Sequence, residues 1–211
     1  AGWPKWNRAG GTSKSPSPAI AEMNNDGYDD IVFQSTNGYL FVYNRDGTTQ
    51  PGLSAVKYSA LTSGVAECSP VVADLNGDGR NDVLMGDESG KLTAISGMDG
   101  SVLPGFPIQL AGEVRGTPAV ADIDRDGMTE IVVVDWDKNI YVWDYDFPFQ
   151  PGGEAPWPQF HHDPRRTGLA SSTLYLGAGD PANDAASVHA LELAPPSPNP
   201  AYARARLWYG V

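Results

Sequence analysis

The sequence is poor in several features that define common classes of protein. Its single cysteine, Cys68, cannot form a disulfide within the chain, and we expect it to serve as a small buried hydrophobic residue. No apolar run reaches the roughly 18 residues of a transmembrane helix, so membrane insertion is not expected. Basic residues number 14 against 26 acidic ones, and the net charge of −12 argues against a nucleic-acid partner. The chain also lacks helical periodicity, which favours an all-β fold.

Signatures of enzymes are missing as well. The chain contains no nucleophile elbow, no phosphate-binding loop and no zinc motif. We therefore expect a protein that is not an enzyme. The 24 glycines and 18 prolines, by contrast, are many, and they suit a chain of short strands joined by tight turns.

One acidic stretch occurs in three copies, at residues 22–30, 74–82 and 122–130. Proline and small apolar residues precede each copy, and a β-branched or apolar run follows it. The copies begin at residues 22, 74 and 122, so they are 52 and then 48 residues apart. A period near 50 predicts a propeller or another array of repeats. We call these stretches the first, second and third loops and number their positions 1 to 9.

The loops have the composition of calcium sites. Oxygen-bearing side chains stand at positions 1, 3, 5 and 9, glycine stands at position 6, and the carbonyl of position 7 can face the same point. Such hard oxygen ligands suit Ca²⁺, and we predict up to three bound ions. The candidate ligands are Glu22, Asn24, Asp26, Tyr28 and Asp30 in the first loop, Asp74, Asn76, Asp78, Arg80 and Asp82 in the second, and Asp122, Asp124, Asp126, Met128 and Glu130 in the third.

Two other interpretations of the loops fit their sequences less well. An EF-hand needs glutamate at position 12 between two helices, but position 12 is the apolar Phe33, Met85 or Val133, within a predicted strand. A plain turn explains Asp, Asn and Gly in one copy, but not an acidic group at position 9 in all three. Carboxylates this close repel one another unless a cation is bound. We predict the tightest site in the third loop, which has four carboxylates, and the weakest in the first.

Each repeat is predicted to hold four strands. A strand enters the loop, a second leaves it, and a hairpin turn at Asn37-Gly38, Ser89-Gly90 or Lys138-Asn139 leads to a third. We place a fourth extended segment at Pro51-Gly52, Pro104-Gly105 and Pro151-Gly152. Bulky apolar residues on both faces of the third strand indicate a sheet that is covered on both sides, like a propeller blade.

The run from Pro118 to Trp143 and its two partners resemble FG-GAP/VCBS repeats, the calcium-binding blades of integrin α-subunit propellers and of many secreted bacterial proteins. The resemblance covers about residues 1–168 and implies Ca²⁺ at positions 1, 3, 5, 7 and 9 of each loop. Glu22 departs from the family's usual aspartate. The family's rings usually have seven blades, so three four-stranded repeats imply an incomplete or open propeller. An extracellular or cell-surface location, in a secreted bacterial protein, is also implied.

The C-terminal part divides into two segments. Residues 156–168 include His161-His162-Asp163, but adjacent side chains on an extended chain point apart, so we interpret this stretch as a structural closing segment. Residues 169–211 are predicted to be a linker and a C-terminal strand. The run from Leu193 to Tyr209 resembles the start of an Ig-like secretion or sorting domain. Its strand is expected to pair with something outside this chain or with a neighbouring molecule.

These observations favour a non-catalytic, calcium-binding structural or adhesion module that binds a protein or glycan partner at the cell surface. One alternative is an accessory or partial domain of a secreted polysaccharide-active enzyme, in which Trp136 stacks on sugars; core packing is the role we expect for Trp143. Another alternative is a subunit of an extracellular filament that assembles by strand addition through the C-terminal strand.

Overall fold

The computed structural model describes residues 16–60, 67–148, 156–162 and 206–207. Within these ranges the chain is all-β and contains no helix, as the lack of helical periodicity predicted. The strands form three antiparallel four-stranded sheets, one for each repeat. Accordingly, no helix in the described part of the chain is long and apolar enough to span a membrane.

The strands of each sheet lie in the order in which the chain visits them. The first sheet contains β1 (Ala19–Ala21), β2 (Asp30–Gln34), β3 (Tyr39–Tyr43) and β4 (Val56–Lys57). The second contains β5 (Val71–Ala73), β6 (Asp82–Gly86), β7 (Lys91–Ile95) and β8 (Ile108–Gln109). The third contains β9 (Ala119–Ala121), β10 (Met128–Val134), β11 (Ile140–Pro148) and β12 (Arg206–Leu207). Each acidic loop therefore joins the first strand of its sheet to the second.

The predicted hairpin turns are confirmed at all three positions. Gly38, Gly90 and Lys138 each have a positive φ, which lets the chain reverse between the second and third strands. A Cβ at Gly90 would lie 2.7 Å from the carbonyl oxygen of Gly112, so this turn also lies close to the connection into the third sheet. Glycine is therefore required at this position by both φ and space.

The core lies between the sheets, and the middle sheet is buried on both faces. Residues alternate along its strands: Val83, Met85 and Ile95 pack toward the first sheet, whereas Leu84 and Ala94 pack toward the third. The partners of these residues on the outer sheets include Val32 and Val42 of the first sheet and Ile131 and Trp143 of the third. This arrangement explains why apolar residues fill both phases of the strands.

The segment 156–162 lies across the first strands of the second and third sheets, β5 and β9. The N–H and carbonyl of Trp157 both pair with Val72 of β5, at 3.1 and 2.9 Å, and the carbonyl of Pro158 accepts from Val120 of β9 at 2.9 Å. The indole of Trp157 is buried in the core shared by the first and second sheets. This described part agrees with the closing role inferred from the sequence; residues 163–168 lie outside the described ranges.

The fourth strand of the third sheet corrects one expectation. In the first two sheets this strand follows the Pro-Gly turn by a few residues, but in the third Arg206–Leu207 pair with Val142 and Tyr141 of β11. These two tail residues therefore have a partner within the chain, where the sequence had suggested one outside it. Pro151-Gly152 and most of the Ig-like resemblance fall outside the described residues. The predicted domain boundary at 168/169 and filament assembly stay predictions.

Candidate metal centres

The three loops share an unusual backbone that curls each of them around its acidic side chains. In every loop positions 4 and 6 both have positive φ. The residues and their φ values are Asn25 (61°) and Gly27 (84°), Gly77 (73°) and Gly79 (81°), and Arg125 (65°) and Gly127 (87°). No atom lies within 4 Å of a Cβ built on Gly27, Gly79 or Gly127. Glycine at position 6 is thus required by φ and not by space.

The side chains at positions 3 and 5 hold the backbone through repeated turns. Each accepts a hydrogen bond from the backbone N–H two residues further along, as Asp and Asn do in Asx-turns. In the third loop Asp126 N–H donates to Asp124 Oδ1 at 3.2 Å, and Met128 N–H donates to Asp126 Oδ1 at 2.7 Å. Asn24, Asp26, Asn76 and Asp78 accept the corresponding bonds in the other two loops.

Position 1 closes each loop onto its position-6 glycine. The glycine N–H donates to Asp74 Oδ2 in the second loop at 2.9 Å and to Asp122 Oδ2 in the third at 3.1 Å. Glu22 accepts the same bond from Gly27 and a second one from Asn24 N–H at 2.9 Å. The longer side chain of Glu22 therefore takes the place that aspartate takes in the other loops.

Position 9 lies beneath each loop, at the base of the buried strand. Asp30, Asp82 and Glu130 are all buried, and each accepts the backbone N–H of position 2. This bond ties the start of the loop to its end. The acidic group that the sequence predicted at position 9 therefore points back into the loop in all three repeats.

The third loop has the most complete arrangement for a cation. Carboxylate oxygens of Asp122, Asp124 and Glu130 lie within 4.8 Å of one another. Asp122 Oδ1 and Glu130 Oε1 are buried, and neither has a hydrogen-bond partner among the described residues. A buried carboxylate oxygen without a donor is unfavourable, and a bound cation would compensate both atoms at once. The all-oxygen donor set suits a hard cation.

The other two loops satisfy position 9 to different degrees. Asp30 Oδ2 accepts from Gln50 Nε2 at 2.7 Å, while its Oδ1 is buried and has no hydrogen-bond partner in the part of the chain that the structure describes. Asp82 accepts backbone N–H groups on both oxygens, from Leu75 at 2.9 Å and from Gly97 at 3.0 Å. Buried carboxylate oxygens that lack a donor among the described residues number two in the third loop and one in the first, while both oxygens of Asp82 in the second loop accept hydrogen bonds. This order agrees with the prediction that the third loop binds calcium most tightly, but it favours tighter binding at the first loop than at the second. The predicted order of affinities remains a prediction.

The position-9 acids titrate unusually because they are buried among like charges. Burial, together with the nearby carboxylates of Glu22 and Asp26, raises the pKa of Asp30 to about 6 despite the hydrogen bond from Met23. Burial likewise raises the pKa of Asp82 to about 7 and that of Glu130 to about 7, each with contributions from the acids of its own loop. Holding these groups ionised near neutral pH is therefore costly unless a positive charge is bound.

Sequence reasoning missed a second set of polar residues in the repeats. Asp87 and Asp135 follow β6 and β10, and both are buried. Asp135 accepts from Asn139 N–H at 2.9 Å, Tyr141 Oη at 2.8 Å and Gly112 N–H at 3.0 Å, so it joins its hairpin turn to the preceding connection. Ser35, Asp87 and Asp135 recur at the same 52- and 48-residue spacing as the loops. Extending the repeat comparison beyond position 9 would have found them.

The remaining candidate residues fall in separate places. Trp143 is buried in the core, as predicted, whereas Trp136 is 67% exposed at the tip of the β10–β11 hairpin. His161 stacks on Phe160 with ring centroids 4.0 Å apart, and His162 packs against Trp157 at 5.3 Å. Both histidines have a positive φ, 58° and 70°, so they lie in a turn and not on the extended chain expected from the sequence. They nevertheless contact different aromatic neighbours, as the structural interpretation of the segment predicts.

Comparison with known proteins agrees with this architecture. A family model described as FG-GAP-like repeat matches residues 22–85 and again residues 74–133. No curated protein matches the chain. The two family matches overlap, contain all three acidic loops, and together span residues 22–133, more than half of the 211 residues. The chain therefore belongs to the FG-GAP-like repeat family.

Proposed function

We propose that this chain is a non-catalytic, calcium-binding structural or adhesion module of an extracellular protein, in which Ca²⁺ rigidifies the sheets. FG-GAP repeats are typical of extracellular, propeller-like modules, and the three sheets have that character. The observation that carries the calcium proposal is the third loop, where Asp122 Oδ1 and Glu130 Oε1 are buried beside Asp124 and have no hydrogen-bond partner within the described ranges. A cation there supplies the missing positive charge.

The environment of the buried carboxylates supports a structural role for them. Five acids are buried in the described part of the chain: Asp30, Asp82, Asp87, Glu130 and Asp135. Each accepts at least one backbone N–H at a loop or turn. A carboxylate held this way fixes the chain, while a general acid or base must face a substrate. Calcium at the loops would extend the same function, by holding the turn from which each central strand begins.

Calcium removal tests the proposal directly. Because an ion that binds only the folded state stabilises it by about 2.7 kcal/mol at a hundred times its Kd, we expect calcium to raise the melting temperature and excess EDTA to lower it. Calorimetric titration would count the sites. A variant with Asp122→Asn and Asp124→Asn should lose the third site and part of the calcium-dependent stabilisation.

The control is Asp137→Asn, which removes an exposed acid close to the third loop in sequence but outside it. This variant should keep the full response to calcium. Melting that is unchanged by EDTA, together with no calorimetric signal, would contradict a structural role for calcium. A response to Mg²⁺ equal to that for Ca²⁺ would contradict the assignment of the ion.

A second candidate function, glycan binding by an accessory domain of a polysaccharide-active enzyme, is favoured by Trp136. Its exposed ring lies 5.0 Å from the guanidinium of Arg115, which is bound to Glu67 at 2.7 Å and Glu113 at 2.6 Å. A fixed, exposed indole is a common platform for sugar rings. A glycan array probed with the wild-type protein and with Trp136→Ala tests this function. If Trp136→Ala still bound glycans as the wild type does, Trp136 would not be the binding residue.

A further inference from the structure

The first and second loops are joined by a residue that is not among the candidate ligands. Asn81 stands at position 8 of the second loop, and its Nδ2 donates to the backbone carbonyl of Glu22 at 2.7 Å. Glu22 is position 1 of the first loop, where its side chain accepts from Asn24 and Gly27. The hydrogen bond therefore spans 59 residues of sequence and fixes the backbone from which a candidate ligand extends.

A second set of contacts lies beside this hydrogen bond and runs between the two position-9 acids, Asp82 and Asp30. Gly97 N–H donates to Asp82 Oδ1 at 3.0 Å, and a Cβ on Gly97 would lie 1.8 Å from the carbonyl oxygen of Asn81 and 3.3 Å from Met23 Cε. Met23 is buried, and its N–H donates to Asp30 Oδ2 at 3.1 Å. Met23, Gly97 and Asn81 thus form one packed connection between the loops.

This connection is absent at the next boundary. Thr129 occupies position 8 of the third loop, and in the described part of the chain no hydrogen bond joins it to the second loop. Tyr145 pairs with Thr129 and so has the position in the third sheet that Gly97 has in the second. Asp29, at position 8 of the first loop, is exposed. Among the described residues, a hydrogen bond from a position-8 side chain to a neighbouring loop therefore joins the first and second loops only.

We infer that Asn81 is a positioning residue that couples calcium binding at the first loop to calcium binding at the second. The inference rests on the proposed calcium function. An ion in the second loop would hold Asp82, and with it the adjacent Asn81, so that Glu22 loses less freedom when the first loop binds its ion. By thermodynamic linkage the effect is mutual. One hydrogen bond of this kind corresponds to a coupling of about threefold to tenfold in affinity.

The glycine amides at position 6 provide a separate reporter for each loop. Gly27, Gly79 and Gly127 each donate to the position-1 carboxylate of their own loop, so their NMR resonances should shift when that loop binds calcium. The second loop is disabled by Asp74→Ala with Asp78→Ala. We expect the calcium midpoint at Gly27 to weaken by about threefold to tenfold in this variant. In the Asn81→Ala background, disabling the second loop should cause no further change at Gly27.

Three controls isolate Asn81. Asn81→Asp keeps the shape of the side chain but cannot donate to the carbonyl of Glu22, so it should also abolish the coupling. Asp29→Ala changes the same position of the first loop and should preserve it, even if loss of charge alters the absolute affinity. Disabling the third loop with Asp122→Ala and Asp124→Ala should leave the midpoint at Gly27 unchanged. Normal shifts at Gly127 in Asn81→Ala establish that this variant is folded.

Amide exchange measured while the first loop holds no calcium completes the test. When the first loop is disabled by Asp26→Ala, calcium that fills the second loop should still slow amide exchange at Gly27, and this slowing should vanish when Asn81→Ala is added. If Gly27 and Gly79 both respond to calcium but titrate independently of each other, the coupling is refuted and the calcium function stands. If Gly27 and Gly79 show no response to calcium, the coupling and the calcium function of these loops are both refuted.

Discussion

At the scale of single residues, each loop combines acidic side chains with a backbone that only some residues tolerate. Position 6 is glycine in all three copies, but position 4 is Asn25, Gly77 or Arg125, although its φ is also positive. Asparagine and glycine adopt this region with little strain, whereas most other side chains are disfavoured there by about 1–2 kcal/mol. Arg125 is therefore the one strained residue of the set, and it also brings a positive charge to the loop with the most carboxylates.

Arg125→Asn should stabilise the protein because asparagine tolerates the left-handed conformation better. We expect the free energy of unfolding, measured by urea in EDTA, to rise by about 0.5–1 kcal/mol. Arg80→Asn is the matched control, since it removes the same charge from the second loop at a residue whose φ is not positive. An equal change in both variants would assign the effect to charge and contradict the backbone explanation.

At the scale of the repeat, each sheet depends on two polar anchors rather than one. The acidic loop holds the entry to the second strand, and Ser35, Asp87 or Asp135 holds the turn that leaves it. Ser59 Oγ donates to Asp87 Oδ2 at 2.6 Å and Gly112 N–H donates to Asp135 Oδ2 at 3.0 Å, so both acids also bind the connection that precedes the hairpin. These anchors link consecutive sheets without any need for an ion.

Asp135→Asn tests the second anchor through its dependence on pH. Burial opposes ionisation of Asp135, but hydrogen bonds from Asn139, Tyr141 and Gly112 outweigh it and lower the pKa of the carboxyl. A lowered pKa in the folded state gives stability that is present above the unfolded value of about 4 and is lost as pH falls through the folded value. The variant should lose on the order of 2 kcal/mol at pH 7, and this difference should shrink toward pH 3.

The measurement is urea unfolding of both proteins at a series of pH values, with the exposed Asp137→Asn as control. Comparing each variant with wild type at the same pH cancels the titration of the acidic loops. A difference between Asp135→Asn and wild type that stays constant from pH 7 to pH 3 would show that the charge of Asp135 is not what holds the turn.

At the scale of the molecule, local sequence patterns predicted most of the repeated elements and missed the contacts between residues far apart in the chain. The three loops, the hairpin turns and the strands at Tyr39–Tyr43 and Lys91–Ile95 follow from local patterns of turn residues and apolar side chains, so they were found. The pairing of Arg206–Leu207 with β11 joins residues more than sixty positions apart, and no local pattern encodes it. The hydrogen bond between Asn81 and Glu22 also joins residues far apart in the sequence, so no local pattern predicts it. The repeat pattern does not predict it either, because Asp29 has the same position in the first loop and is exposed.

The packing of the sheets around the segment 156–162 leads to a prediction for the whole molecule. Trp157 is buried in the core of the first two sheets and pairs with β5, while its neighbour Pro158 pairs with β9. Trp157→Ala should therefore lower the free energy of unfolding by about 3–5 kcal/mol, as a large buried aromatic does. Phe160→Ala is the control, because Phe160 belongs to the same segment but is 40% exposed.

Hydrogen exchange distinguishes loss of this junction from a general weakening of the fold. The amides of Val72 and Val120 donate to the carbonyls of Trp157 and Pro158, so they should lose protection in Trp157→Ala before the amides of β6 and β7 do. If all these amides lost protection together, the segment would be one more part of a single cooperative core. Selective loss of protection at Val72 and Val120 would establish the segment 156–162 as the element that joins the second and third sheets at their first strands, β5 and β9.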